Sequence, residues 1–261
     1  TARLLKERGT KITWTVAAHC RHTSKREHEQ LGQEFPYKHL TEEPLWQRYI
    51  EGYRLADVII CPSTVAANTV RSYGPAFASK DIRVVPHGVT LPEAVAPLPA
   101  RFTVGYMGSF GADKGLRYLL AAWKQLAYRD STLVLAGRDS TTPWARHLIH
   151  TYGGGNIQCV GLVTDPAEFY NNISCYCQPS ATEGCGCEVL EALAHERPGL
   201  CSAGAGASDL AGAGVTVFAV GDVEHLCYEI NCLKEQPADL VSQGHIGRCA
   251  AAENTWPIIH K

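Results

Sequence analysis

A chain of 261 residues can hold two modest domains with a core each, and 45% hydrophobic with 19% charged residues is the composition of an ordinary globular protein. A formal net charge of −2 gives no field for nucleic acid or an anionic membrane, which excludes partners recognised by bulk charge. No apolar run is long enough to span a bilayer and no segment reads as a signal peptide, so a cytoplasmic location, at most peripheral at a membrane, is expected.

In chain order, Ala2 to Gly9 reads as the end of a helix leading into a strand over Ile12 to Ala18, with His19 just beyond its carboxyl end. Helical spacing follows over Glu42 to Ala56, then β-rich runs at Val58 to Cys61 and Ile82 to Val85. Pro86, Pro92, Pro97 and Pro99 interrupt any regular element before Arg101. Beyond them come strands at Phe102 to Met107, Leu133 to Ala136, Ile157 to Val160, Cys175 to Gln178, Leu200 to Ser202 and Val215 to Val220. Helices are expected over Gly115 to Ala127, Glu188 to Glu196 and Val223 to Lys234. Alternation of this kind predicts parallel sheets covered by helices, an α/β fold. The expected organisation is a partial N-terminal unit over 1–90, a Pro-rich linker over 91–101, a nucleotide-binding unit over 102–250 and a tail over 251–261 directed at the first unit.

The segment Pro179 to Gly199, PSATEGCGCEVLEALAHERPG, carries the most chemistry. Gly184 and Gly186 let the backbone approach a ligand, and Val189, Leu190, Leu193 and Ala194 then have helical spacing until Arg197, Pro198 and Gly199 stop it. The N–H groups of Gly186, Cys187 and Glu188 would open a helix N-terminus, where an anion such as a pyrophosphate is favoured. Glu191, expected on the polar side with Glu188 and His195, is placed to accept hydrogen bonds from sugar or ribose hydroxyls. Glu183 precedes the helix and would face whatever follows the phosphates.

Glu183, seven residues and Glu191, with Pro179-Ser180 before them, the turn Glu183-Gly184-Cys185-Gly186, the run Glu191-Ala192-Leu193-Ala194 and the stop Arg197-Pro198, resemble the E-x7-E signature of group 1 retaining glycosyltransferases. The resemblance covers about Ile12 to Ile259 and implies the GT-B fold, two facing Rossmann-like domains. It also implies several site residues. Gly105 to Gly115 resembles the family's first loop of the C-terminal domain, with Gly108 near the donor and Lys114 as a cation for its pyrophosphate. Ser109 stands where many members have arginine, which shifts leaving-group stabilisation onto Lys114 and the helix N-terminus. His19 occupies the position of a histidine facing the donor sugar, at the strand end where ligands of open α/β sheets bind. Arg138 is a looser candidate for the phosphates, and His87 in Pro86-His87-Gly88 resembles the turn into the interdomain linker.

Eleven cysteines are too few for a disulfide scaffold and odd in number, so reduced thiols are expected. Two C-x-C pairs, Cys175 with Cys177 and Cys185 with Cys187, are spaced unlike a usual zinc pattern, and they are read as small core hydrophobes with no metal in the site. The function expected from the resemblance is transfer of a sugar from a nucleotide-diphosphate sugar to an acceptor hydroxyl on a glycan, lipid or small molecule, with retention and no further cofactor. The alternative is a binding module or partial glycosyltransferase that holds a nucleotide sugar without efficient turnover. It is suggested by Ser109 and by a first unit of only about three strands, which also leads us to expect a missing N-terminal segment or an oligomeric partner.

Overall fold

The computed structural model describes residues 6–7, 9, 11–15, 21–30 and 43–259. The first part runs β1 (Thr13–Thr15), α1 (Arg21–Gln30), α2 (Glu43–Leu55), β2 (Val58–Cys61), α3 (Thr64–Arg71), α4 (Pro75–Ala78) and β3 (Asp81–Val84). Its three strands are parallel in the order β1-β2-β3. Alternate residues of β2 are buried, and Ile59 and Cys61 pack with Ile50, Tyr53, Val70 and Phe77 into one core. Ser63 starts α3 as an N-cap in extended backbone, its hydroxyl accepting from Ala66 N–H at 3.0 Å.

The second part begins with β4 (Thr103–Met107), α5 (Leu116–Leu126), β5 (Thr132–Ala136), α6 (Pro143–Tyr152), β6 (Ile157–Gly161) and α7 (Pro166–Asn171). It continues with β7 (Cys175–Gln178), α8 (Cys187–Ala194), β8 (Gly199–Ser202), β9 (Val215–Phe218), α9 (Val223–Glu235), α10 (Pro237–Glu253) and α11 (Trp256–Ile259). Six parallel strands are ordered β6-β5-β4-β7-β8-β9. The chain therefore winds outward on one side of β4 and then crosses to build β7, β8 and β9 on the other. This is the doubly wound order, and its crevice lies off the carboxyl ends of β4 and β7. Every residue of β7 and β8 is buried, the polar Gln178 and Ser202 at their ends included, as central strands covered on both faces should be. Leu119, Trp123 and Ile230 pack on one face, and Tyr170, Val189 and Leu193 on the other.

From α2 onward the expected elements shift by a residue or two at their ends, as fraying termini do, while the expected helix end over Ala2 to Gly9 and the strand over Ile12 to Ala18 lie partly outside the described residues. The strand expected to reach Val220 ends at Phe218, where the chain turns through Gly221. Between β3 and β4 there is neither helix nor strand beyond a bridge from Val89 to Thr255, so the proline-rich stretch is irregular as expected. It is nonetheless fastened: Val89 N–H donates to Asn254 at 2.9 Å, Arg248 to the Pro92 carbonyl at 3.1 Å and Arg197 to the Ala96 carbonyl at 2.9 Å. Among the described residues no helix is long and apolar enough to cross a membrane.

Candidate active site at the switch point of the second sheet

The loop after β4 is shaped by close backbone contacts. Gly137, with φ of +135°, lies so near Gly108 that a Cβ there would sit 2.0 Å from the Gly108 carbonyl oxygen, and Gly115, with φ of +66°, stands equally close to the Pro179 carbonyl. The first contact brings the loops after β4 and β5 together; the second sets the loop after β4 against the one after β7. Ala181 N–H donates to the Asp113 carbonyl at 2.8 Å and strengthens the second join.

These joins bring Lys114 to Glu183, 69 residues apart, in a hydrogen-bonded ion pair. Each side chain is only 18% exposed, so the pair keeps a solvent-facing edge while most of its hydration is gone. Burial would lower the Lys114 pKa, but the carboxylates of Glu183, Asp113 and Glu188 outweigh it and hold the ammonium above the ordinary lysine value. The second Glu183 oxygen accepts from Gly184 N–H at 3.1 Å. Its backbone is held between Gly204 and Gly206 by two hydrogen bonds of 2.9 Å. Gly186, at φ of +84°, caps α8, and neither its N–H nor that of Cys187 donates to a carbonyl among the described residues. Two free donors at a helix N-terminus therefore adjoin a lysine and a carboxylate, an arrangement that suits a phosphate group.

Glu188, half-buried in the first turn of α8, has its pKa raised, first by burial and then by Glu183 and Glu191, against the lowering effect of its own N–H and of Lys114. A carboxyl whose folded pKa exceeds its unfolded one contributes stability at pH below the unfolded value and loses it as pH rises through the folded value. Glu188→Gln should therefore unfold at a higher temperature than the parent at about pH 7, with the advantage shrinking below about pH 4. Thermal unfolding at both pH values checks this, and an equal gain at each would exclude ionisation as the cause.

Glu191 lies one helical turn further on, half-buried, and one of its oxygens accepts from the Tyr170 hydroxyl at 2.7 Å. Its other oxygen has no hydrogen-bond partner among the described residues. His195 is a correction: it is buried rather than on the polar side, with Nδ1 2.9 Å from the Glu191 carbonyl and its ring against Tyr170. Being within a turn of that carbonyl in the last residues of α8, its nitrogen caps the helix end. Ser109 and Arg138 are both exposed. Arg138 follows Gly137 and so stands beside the Gly108-Ser109 loop. His19 lies outside the described residues. Sequence reasoning passed over Ser63, whose hydroxyl donates to the Gly184 carbonyl at 2.7 Å, and Asp209, which accepts from Thr64 N–H at 2.7 Å. These bonds dock the start of α3 on the glutamate loop and on the turn after β8. On the other side of the Gly111 loop His28 is buried beside Gly111 while Glu27 pairs with Arg117 at 2.7 Å.

The reading of the C-x-C cysteines as core residues is corrected in part. Cys175 and Cys177 are fully buried in β7, where burial pushes the Cys175 thiol up to about 12. Cys185 and Cys187 are only half-buried because they flank the Gly186 turn rather than a sheet face. A cleft of about 300 Å³ lies elsewhere, between β5, β6 and α7, and is lined by Val134, Leu162, Glu168 and Phe169. None of the lysine and carboxylate cluster lines it, and the cluster, at the switch point, is the stronger site by its chemistry.

A family model described as group 1 glycosyl transferases matches residues 101–236. The capsular polysaccharide biosynthesis glycosyltransferase CapM of Staphylococcus aureus is 30% identical over 154 residues, which are 56% of this chain and 40% of CapM. This chain thus spans 40% of that relative's length. Sucrose-phosphate synthase from Thermosynechococcus elongatus superposes with a TM-score of 0.79 at 21% identity, covering 98% of this chain and 67% of the other. HepE of Anabaena in complex with UDP and glucose superposes with a TM-score of 0.74 at 15% identity, covering 97% and 70%. At such identities the structures speak for the fold, and the expected GT-B class of α/β fold is borne out.

Proposed function

Because this chain belongs to the group 1 glycosyltransferases, we propose that it moves a glycosyl group from a nucleotide-diphosphate sugar to an acceptor hydroxyl, with retention at the transferred carbon. The observation that carries the reading is the meeting of Lys114, Glu183 and the free N–H groups of Gly186 and Cys187 at the switch point, with Glu191 on the same helix. The diphosphate sits against those N–H groups and the Lys114 ammonium; Gly108, Ser109 and Arg138 complete its surroundings. Glu191 accepts from the ribose diol, oriented by Tyr170. Glu183 and Gly184 face the sugar, and His19 is assigned the opposite side. The bond from the anomeric carbon to the diphosphate oxygen breaks as the acceptor oxygen bonds to that carbon on the same face. The acceptor's proton passes to the departing diphosphate oxygen, so the step needs no metal and no separate base. Uridine diphosphate sugars are the first donors to try, since HepE was crystallised with UDP, and a growing glycan is the first acceptor class, since CapM is named for polysaccharide biosynthesis.

Glu191→Ala removes a charged acceptor from the ribose and should weaken UDP binding by about 1.5–3 kcal/mol, roughly 10–150-fold in Kd. Glu183→Ala should leave UDP affinity near the parent's and lower turnover instead. Titration calorimetry on the two variants, beside a transfer assay, decides it. Unchanged affinity in Glu191→Ala would remove Glu191 from the nucleotide site.

A further inference from the structure

Cys185 and Cys187 flank Gly186 in the turn that opens α8, and His87 reaches the same point from the segment between the two sheets. Cys187 Sγ lies 3.2 Å from His87 Nδ1 and 3.5 Å from Cys185 Sγ, and the three donor atoms all fall within 4.8 Å of one another. Tetrahedral zinc, with bonds of about 2.3 Å to sulfur and about 2.0–2.1 Å to nitrogen, separates its ligand atoms by roughly 3.5–3.8 Å. The gaps of 3.2 Å and 3.5 Å lie close to those separations, and the third pair, within 4.8 Å, closes on the ion as the exposed His87 turns toward it. Two thiols and an imidazole are also the soft and borderline donors that such an ion selects over magnesium or calcium.

The placement differs from that of the structural cysteines. Cys175, Cys177 and Cys201 are sealed in the sheet, whereas Cys185 and Cys187 are half-buried and His87 is exposed, so an ion can enter from solvent. Glu183 and Glu188 act electrostatically on Cys185 and add negative potential at the same turn. We propose that His87, Cys185 and Cys187 form a site for one zinc-class divalent ion, with three ligands from the protein and the fourth position left to water. The ion ties the segment between the sheets to the glutamate loop, joining residues 100 apart in sequence. The site rests on its own donor geometry and stands whether or not the transferase reading does.

The test is a titration of the reduced protein with zinc(II) against a chromogenic chelator, repeated with cobalt(II) as a spectroscopic probe. One equivalent should bind, and cobalt should give a thiolate-to-metal charge-transfer band with tetrahedral visible absorption. Cys185→Ser and Cys187→Ser should each weaken binding by more than the roughly 10–100-fold that changes outside the ligand shell cost, and His87→Ala by a similar factor. Cys159→Ser and Cys249→Ser, at exposed thiols, should leave it unchanged and show that surface cysteines are not the ligands. Zinc should raise the parent's unfolding temperature and not that of Cys187→Ser. Binding that survives Cys185→Ser, a cobalt spectrum without thiolate charge transfer, or a Cys185-Cys187 disulfide recovered under reducing conditions in place of the ion would each overturn the proposal.

Discussion

Lys114→Met should lower kcat for glycosyl transfer by about 10²–10³-fold, the cost of removing one preorganised donor from a developing negative charge. The ammonium is held above its ordinary pKa by three carboxylates, so it carries a full charge through the neutral range. It is also mostly dehydrated, in a loop fixed against Pro179, and spends little reorganisation when charge collects on the departing diphosphate. Ser109 adds no charge at the position where the resemblance leads one to expect arginine. The burden on Lys114 is larger for that reason.

A rival account makes Lys114 a prop for Glu183, since the two are paired in the absence of any ligand. A double-mutant cycle separates the accounts. If Lys114 acts only through Glu183, adding Lys114→Met to Glu183→Gln changes nothing further. If it acts on the diphosphate, the second substitution lowers kcat again and weakens binding of the product diphosphate more than that of the nucleoside. A Lys114→Met variant with parental kcat would remove the residue from the machinery altogether.

What the sequence made legible was whatever depends on neighbours along the chain. The two glutamates, the glycine turn between them and the helix that follows are all set by short spacing, and the buried runs of β7 and β8 announce themselves by lacking polar alternation. That the strands run parallel was legible from their alternation with helices, whereas the order β6-β5-β4-β7-β8-β9 was not, since it depends on which crossover turns back past β4. Contacts between distant segments were not legible. Tyr170 meets Glu191 across 21 residues, Ser63 meets Gly184 across 121, and His87 meets Cys187 across 100, and nothing in local pattern marks one member for the other. The largest omission, α10, has a physical cause. Gly244 and Gly247 lower its helix propensity and break its apolar stripe, yet a Cβ at 247 would lie 2.6 Å from the Leu193 side chain and one at 244 would lie 2.4 Å from the Glu196 carbonyl. Close packing of α10 on α8 decided those residues, and a helical pattern was lost in the process.

Arg197→Met should cost about 3 kcal/mol of stability. Read from sequence as a helix stop, Arg197 is one of the largest fully buried side chains, only 1% exposed. Its Nε donates to the Tyr170 carbonyl at 3.0 Å, and Nη2 reaches Ala96 at 2.9 Å, Pro97 at 3.2 Å and Asn171 at 3.4 Å. Burial lowers its pKa, with Glu196 opposing, and among the described residues no carboxylate pairs with it directly; the charge is borne by carbonyl dipoles. Two of those carbonyls end α7, where a cation is favoured, and the other two belong to the segment joining the sheets. Methionine restores most of the buried volume and none of the donors. Charged hydrogen bonds worth about 1.5–3 kcal/mol each are lost, and carbonyls are left buried without partners, while the apolar side chain recovers only part of that. Arg197→Lys keeps the charge but cannot fork between the two segments, so it should lie between parent and Met. The loss should also reach the site, because Tyr170, held by Arg197 at its carbonyl, orients Glu191 with its hydroxyl. Urea unfolding of the three proteins measures the first effect and UDP affinity the second. A Met variant as stable as the parent would mean that apolar burial compensates for the missing donors, and Arg197 would then be a spacer between α7 and the linker and no clamp.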